Sequence, residues 1–155
     1  MHLHDDKINY VKQSEDVLTM EFRSGVCYTM FNAFHHFTDQ EKLKITEKIR
    51  AAGSTAFIVE ILQPDLTCFL NVFFLTLIGN FFITPFLKPF SFERLLFTYI
   101  IPVNVLTIFF DGVISVFKSR SLKQYKKLFQ KEKTEVLNLR GRLNSIIVIQ
   151  ILPEK

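Results

Sequence analysis

The sequence contains no tryptophan, only two cysteines and only five glycines, and each scarcity excludes a class of protein. Cys27 and Cys68 are too few and too far apart for a disulfide framework, a zinc site or a CxxC redox pair. All five glycines are isolated, and the sequence contains no P-loop, no nucleophile with its base and no metal-ligand cluster. Residues 1–6 lack the basic and apolar regions of a signal peptide, so we predict a cytoplasmic protein.

Charge is scarce in the middle of the chain. The 155 residues carry 19 basic and 15 acidic side chains, for a net charge of +4, and this length fits a single domain. Residues 66–117 hold two side chains of each sign, whereas residues 118–142 hold nine basic and two acidic ones. A basic segment that directly follows an almost uncharged one favours an anionic lipid surface as partner and argues against nucleic acid.

The first part of the chain alternates between strand-like and helix-like patterns. We predict strands over residues 7–11, 27–34 and 55–61, of which the last is a β-branched, mostly apolar run typical of a buried parallel strand. Between the last two strands, Thr38 and Glu41 have the spacing of a capping box that begins a helix. A strand, a helix and a strand form a βαβ unit with parallel pairing, which predicts functional side chains at the carboxyl ends of its strands.

An apolar block occupies residues 66–117. Residues 66–87 contain no Asp, Glu, Lys, Arg or His, and Asp111 is the only charged residue in 95–117. Each run reaches the roughly 20 residues that cross a bilayer. The polar, proline-containing residues 88–94 separate the runs, so we predict a helical hairpin. Three arrangements remain open: a spanning hairpin, a hairpin that lies in the membrane interface, and a lid over a hydrophobic substrate pocket.

The last part of the chain predicts a basic helix and two strands. Ser121 and Gln124 form a second capping signal ahead of the helix. Strand-like residues 134–139 and 145–152 are separated by a glycine-containing connection of hairpin length. The sequence therefore predicts an α/β fold in which an antiparallel hairpin closes an otherwise parallel sheet.

Several of these segments carry a family resemblance. The sequences MFNAFHHF at residues 30–37, FIVE at 57–60 and RLLFTYIIP at 94–102, with Asp111 and Gly112, resemble the C-terminal part of a bacterial family of class I S-adenosylmethionine-dependent methyltransferases of unassigned substrate. The resemblance extends from about residue 8 to residue 152. It implies a partial Rossmann-like methyltransferase sheet, so that residues 1–155 form one incomplete α/β domain with residues 66–117 as a substrate-side insertion.

The resemblance also implies roles for individual residues. Asp16 would lie near the adenine amino group of S-adenosylmethionine, and Asn32 and Phe34 would border that cofactor. His35 and His36 are candidate general bases near neutral pH, although paired histidines at such a junction are often only polar loop residues.

Two carboxylates are candidates for the substrate side. Glu60 ends a buried strand, where it either contacts a ligand or forms a hydrogen bond to a helix. Asp111 stands in an apolar run, where a carboxylate must be paired, protonated or facing water, and otherwise serves as a cap or a snorkelling group. No metal is expected.

The chain departs from the family where the cofactor binds. It has no glycine-rich loop and no acidic residue for the ribose hydroxyls, so we expect a truncated form that binds S-adenosylmethionine poorly alone. In the family's strand order, 3-2-1-4-5-7-6, loss of the first two strands exposes the edge of the fourth, which an N-terminal half or a second copy could cover. The alternative function is a non-enzymatic protein that a phenylalanine-rich hairpin anchors at the inner face of the cytoplasmic membrane.

Overall fold

The structure, a computed structural model, describes residues 13–132, 134–140 and 145–153. It is a mixed α/β protein with one open four-stranded sheet in the order β1-β2-β4-β3. The strands are β1 (Cys27–Phe31), β2 (Thr55–Glu60), β3 (Thr134–Arg140) and β4 (Ser145–Ile151). The strand predicted over residues 7–11 lies outside the described residues.

The strand directions confirm the predicted βαβ unit and the C-terminal hairpin. β1 and β2 run parallel, with Met30 opposite Ile58. β4 runs antiparallel to β2 on one side and to β3 on the other. β1 ends three residues earlier than predicted, because Asn32 adopts a φ of 47° and Phe34–His36 form a 3₁₀ turn.

The helix α1 (Asp39–Ala51) connects β1 to β2 and begins at the predicted capping box. The Thr38 N–H donates to Glu41 Oε2 at 2.7 Å, and the Glu41 N–H donates to Thr38 Oγ1 at 3.3 Å. The hydrogen bond from the Thr38 backbone is the main reason why the pKa of Glu41 lies below its usual value of 4.5. Gly53, with a φ of +68°, follows the helix in the left-handed conformation that glycine adopts at lowest cost.

The hydrophobic core lies on one face of the sheet. Side chains of alternate residues on β2 and β4 point into it, and α1 and α6 (Leu122–Leu128) pack over them. The Phe34 ring stacks on Tyr125 and on Phe129, with 6.4 Å between ring centroids in each pair. These rings are at most 2% exposed, so the basic helix α6 and its end at Phe129 are packed against the core through Tyr125 and Phe129.

The apolar block forms a helical hairpin. The first arm is Leu66–Phe86 and contains α2 (Leu66–Phe74), the π-helical turn Leu75–Gly79, α3 (Asn80–Ile83) and the 3₁₀ turn Thr84–Phe86. The second arm contains α4 (Phe92–Leu95), the π-helical turn Leu96–Ile100 and α5 (Val103–Lys118).

The second apolar run, predicted over residues 95–117, is interrupted by a bend. The helical stretches Phe92–Ile100 and Val103–Lys118 meet at 71°. Proline lacks the N–H that a helix interior requires, which explains why the chain bends at Pro102. By length and composition, the described residues contain one helix that could cross a membrane, the first arm with a mean hydropathy of 2.0, or two if the bent second arm counts as one span.

The hairpin is fastened to the sheet domain at both ends. At its entry, Gln63 Nε2 donates to the carbonyl oxygen of Ser145 at 2.7 Å and to its hydroxyl at 2.6 Å. At its exit, Arg120 donates two hydrogen bonds to the Asp39 carboxylate, at 2.9 and 3.2 Å. Both of its ends therefore lie near the carboxyl edge of the parallel strands.

In the hairpin, polar side chains are buried and large apolar side chains are exposed, which is the reverse of the pattern in water-soluble proteins. Thr84, Thr98 and Ser115 are between 2% and 5% exposed. Large apolar side chains of the same segment are between 67% and 82% exposed, namely Leu75, Phe82, Phe86, Phe92, Ile100 and Phe117. Large exposed apolar patches are typical of binding or membrane interaction sites.

Candidate functional site

The candidate site lies where β1 and β2 end. Asn32 connects the two strands, because its N–H donates to the Val59 carbonyl at 2.7 Å and its Oδ1 accepts the Ile61 N–H at 3.4 Å. Asparagine is among the residues that tolerate a positive φ, which this position requires. The chain then turns sharply through Phe34–His36 and leads into α1.

Glu60 is the centre of this edge. Its side chain is completely buried, with Oε1 accepting the Phe34 N–H at 2.6 Å and Oε2 lying 2.8 Å from His35 Nδ1. A carboxylate only accepts hydrogen bonds, so it favours the tautomer in which His35 Nδ1 carries the proton. The last residue of β2 therefore holds both the backbone and the imidazole of the turn that follows β1.

The two histidines have different environments. His35 is 2% exposed, and within the described chain no hydrogen-bond partner meets its buried Nε2. His36 is exposed, and its ring centroid lies 4.3 Å from that of His35. Of the two predicted bases, only His36 is directly accessible from solvent.

The structure places Phe34 in the core. Its ring is 0% exposed and packs on Tyr125 and Phe129, so it presents no side-chain surface to a ligand. Its backbone N–H is its contribution to the edge, through the bond to Glu60.

Behind this turn, Lys42 and Tyr125 form a buried polar group, which the sequence analysis did not predict. Lys42 Nζ lies 5.9 Å from the Phe34 ring centroid and 6.0 Å from that of Tyr125, within the range of cation–π contact. Burial lowers the pKa of Lys42, although Asp39, 3.8 Å away, opposes this shift. Burial likewise raises the pKa of Tyr125, whose hydroxyl has no hydrogen-bond partner among the described residues.

A sequence signal for Lys42 does exist. It lies three residues before Ile45 and seven before Ile49, so all three share the buried face of α1. A lysine on the apolar face of a helix indicates a buried cation, even though most lysines are solvated.

The structure places Asp16 away from the strand ends. Asp16 Oδ1 accepts the Leu18 N–H at 2.9 Å and so stabilises an exposed turn. This turn lines an open groove of about 840 Å³ beside β1, with both acidic and basic side chains in its wall. Lys48 Nζ fastens the segment to α1 through the carbonyls of Leu18 and Met20, at 3.0 and 2.7 Å.

Asp111 lies in the middle of α5 on the hairpin surface. It is exposed, and in the described part of the chain it makes no hydrogen bond or ion pair. The structure therefore groups Asn32, Phe34, His35, His36 and Glu60 at one edge and leaves Asp16 and Asp111 outside that group.

Residues 13–132, 134–140 and 145–153 contain no group of three or more His, Cys, Asp or Glu side chains arranged to hold a metal ion. They fit S-adenosylmethionine only in part. Asp16 and Asn32 are the polar groups that the resemblance assigns to the cofactor, and neither is a buried, unpaired group awaiting a ligand.

No protein-family model matches the chain, and no curated protein matches it.

Proposed function

We propose that this chain is the acceptor-side portion of a class I S-adenosylmethionine-dependent methyltransferase that acts on a hydrophobic acceptor. The observation that carries the proposal is the strand order β1-β2-β4-β3. The resemblance implies the order 4-5-7-6 for these strands, with the inserted last strand antiparallel. β4 lies between β2 and β3 and is antiparallel to both, which supports this assignment.

The carboxyl edge supplies the groups that such a reaction needs from this side. When bound, S-adenosylmethionine provides an electrophilic methyl group on a sulfonium sulfur. The acceptor atom must lose a proton, and His36 is the exposed imidazole at the edge that can receive it. Glu60 and His35 are positioning residues, because they fix the turn from which His36 projects.

The cofactor-binding half must come from another segment. Because the described residues fit the cofactor only in part, we assign this chain no step in which the cofactor itself reacts. β1 is an outer strand among the described strands and offers unpaired N–H and C=O groups to such a segment. An N-terminal half that pairs with β1 would place its loops beside Asn32.

The test begins with the DNA upstream of the Met1 codon, translated in three frames. The proposal expects a strand, a GxGxG loop and a helix there. The protein in which this upstream segment is fused to the chain is then reconstituted in lipid nanodiscs. It should transfer the tritiated methyl group of labelled S-adenosylmethionine to a lipid extract. His36→Ala should lower the rate by about 10²-fold or more, whereas Lys44→Ala, at an exposed position on α1, should leave it unchanged.

Either of two results contradicts the proposal: an upstream sequence without this pattern, or a joined protein that does not bind S-adenosylmethionine. Calorimetry supplies an independent test, since the isolated chain should show no micromolar binding of the cofactor.

A second candidate function is membrane anchoring without catalysis. The exposed phenylalanines and leucines of the hairpin favour it. In this case the protein resides at the inner face of the cytoplasmic membrane, with the basic residues that flank the hairpin on the cytoplasmic side. After a carbonate wash an inserted hairpin sediments with membranes, whereas a soluble lid stays in the supernatant.

A further inference from the structure

Three polar side chains of the first arm donate hydrogen bonds to carbonyl oxygens of the same arm. Thr76 Oγ1 donates to the Val72 carbonyl at 2.7 Å, Asn80 Nδ2 to the Thr76 carbonyl at 2.8 Å, and Thr84 Oγ1 to the Asn80 carbonyl at 2.6 Å. These residues recur at intervals of four and so lie along one side of the arm. The two hydroxyl protons and one amide N–H thus find partners without water, which favours placing this helix in hydrocarbon.

The two arms pack closely along this side. A Cβ atom at Gly112 of α5 would lie 2.6 Å from Val72 Cγ1 and 3.8 Å from Thr76 Cγ2. Phe73 and Phe109 meet edge to face, with ring centroids 5.8 Å apart. Helices in membranes associate through such small residues and hydroxyls, while their large apolar side chains face outward. The hairpin has both features.

Unpaired cations gather at the end where the hairpin joins the sheet domain. Lys118 ends α5, and Lys123, Lys126 and Lys127 follow on α6; all four are exposed and form no ion pair with any described residue. The nearby Arg120 is engaged by Asp39. At the entry end, Asp65 is occupied in accepting the Cys68 N–H at 2.8 Å.

We propose that the hairpin is embedded in an anionic lipid bilayer, with its junction to the sheet domain at the level of the headgroups. The outward apolar side chains contact acyl chains, and the four lysines bind anionic headgroups. This inference rests on the second candidate function, for which it names the lipid class and the orientation, and it does not depend on methyl transfer.

Asp111 fits this orientation. Polar residues along α5 are spaced by three, four and seven positions and so form one stripe: Asn104, Thr107, Asp111 and Lys118. A separate stripe is apolar and contains Leu106, Phe110, Ile114 and Phe117. Seven residues of helix place Asp111 about 10 Å from Lys118. If Lys118 lies among the headgroups, the carboxylate lies in the same leaflet, on the polar stripe that leads to Lys118.

The absence of tryptophan allows a direct depth measurement. Phe74→Trp in the first arm and Phe117→Trp at the junction replace exposed rings, and Phe22→Trp provides a control beside β1. Each full-length variant is reconstituted in phosphatidylcholine–phosphatidylglycerol vesicles whose acyl chains are brominated near the headgroup or near the methyl end. We expect bromines near the methyl end to quench the fluorescence of the tryptophan at position 74 most. Bromines near the headgroup should quench the tryptophan at position 117 most, and neither should quench the one at position 22.

The headgroup contacts are tested with the triple variant Lys123→Gln, Lys126→Gln and Lys127→Gln. Binding to vesicles with phosphatidylglycerol should weaken by about tenfold or more, and binding to pure phosphatidylcholine vesicles should not change. Lys44→Gln, which removes an exposed lysine of α1, is the matched control and should have no effect.

Three results overturn the inference. They are equal quenching at positions 74 and 117, quenching at neither position, and a triple variant that binds anionic vesicles as tightly as the parent. If the protein nevertheless sediments with carbonate-washed membranes, anchoring stands and only the orientation or the lipid class proposed here is wrong.

Discussion

At the scale of single residues, Glu60 connects β2 to the turn after β1 by two hydrogen bonds, to the Phe34 N–H and to His35. Glu60→Gln keeps one acceptor oxygen but places an amide N–H beside His35 Nδ1. His35 Nδ1 must then lose its proton and act as an acceptor. We expect a loss of about 1–3 kcal/mol in the free energy of unfolding, measured by denaturant titration in detergent micelles.

The matched control is Glu47→Gln, at an exposed position of α1. It should change the free energy of unfolding by no more than about 0.5 kcal/mol. Equal stabilities for the two variants would show that Glu60 does not hold the turn.

Lys42 predicts a dependence of stability on pH. Its burial lowers its pKa below the ordinary value of 10.5, so between the two values the unfolded chain binds the proton that the folded chain has lost. The free energy of unfolding therefore rises as the pH increases through this window. Unfolding titrations of the parent and of Lys42→Met should show this alkaline rise in the parent and a smaller one in the variant; identical slopes would contradict the assignment.

The sequence indicated where His35, His36 and Glu60 lie, but it did not indicate their contacts. His35, His36 and Glu60 follow from their position at strand ends, since the strands were recognisable from their apolar patterns. The pairing of His35 with Glu60 joins residues 25 positions apart, and no local pattern encodes it. Which histidine is buried depends on how the 3₁₀ turn is oriented, a tertiary property.

At the scale of secondary-structure elements, Gly112 determines how closely α5 approaches α2. Gly112→Ala adds a methyl group where Val72 Cγ1 lies 2.6 Å away, so the arms must separate or Val72 must move. We expect the variant to lose about 1–3 kcal/mol of stability, seen as a lower melting temperature in detergent.

Gly79 provides a matched comparison within the same hairpin. A Cβ atom there meets nothing within 4 Å, so Gly79→Ala should be neutral or should stabilise its helix by up to about 1 kcal/mol. Equal destabilisation by both variants would show that the loss at position 112 does not come from contact between the arms.

The elements were predictable where local chemistry determines them. Thr38 with Glu41, and Ser121 with Gln124, began helices where predicted, because a capping box is complete within four residues. Hydropathy alone does not indicate the bend at Pro102, although the proline itself is a signal for it. The π-helical turns Leu75–Gly79 and Leu96–Ile100 have no sequence signature that we recognise.

At the scale of the whole molecule, β1 leaves one side of the described sheet open. The Asn32 N–H bonds to β2, so alternation along the strand directs the Met30 N–H toward β2 and the Thr29 N–H away from the sheet. Thr29→Pro should therefore preserve the fold and block pairing at this edge, whereas Met30→Pro should cost about 3 kcal/mol or more.

Circular dichroism during heating distinguishes the two proline variants, and size-exclusion chromatography in detergent reports whether Thr29→Pro reduces association with a second copy or with a supplied N-terminal half. If both variants unfold equally, β1 does not present its free edge as described. If Thr29→Pro associates as the parent does, the partner binds elsewhere.

The fastening of the hairpin at both ends restricts how it can turn. Gln63 holds the entry to β4, and Arg120 holds the exit to the start of α1, so the two ends are fixed to different elements. A rod fixed at one point can spin about its long axis, but one fixed at two separated points cannot. The sheet domain thus fixes the rotation of the hairpin about its long axis. The same side of the apolar surface therefore faces the same direction, relative to the sheet, in every molecule.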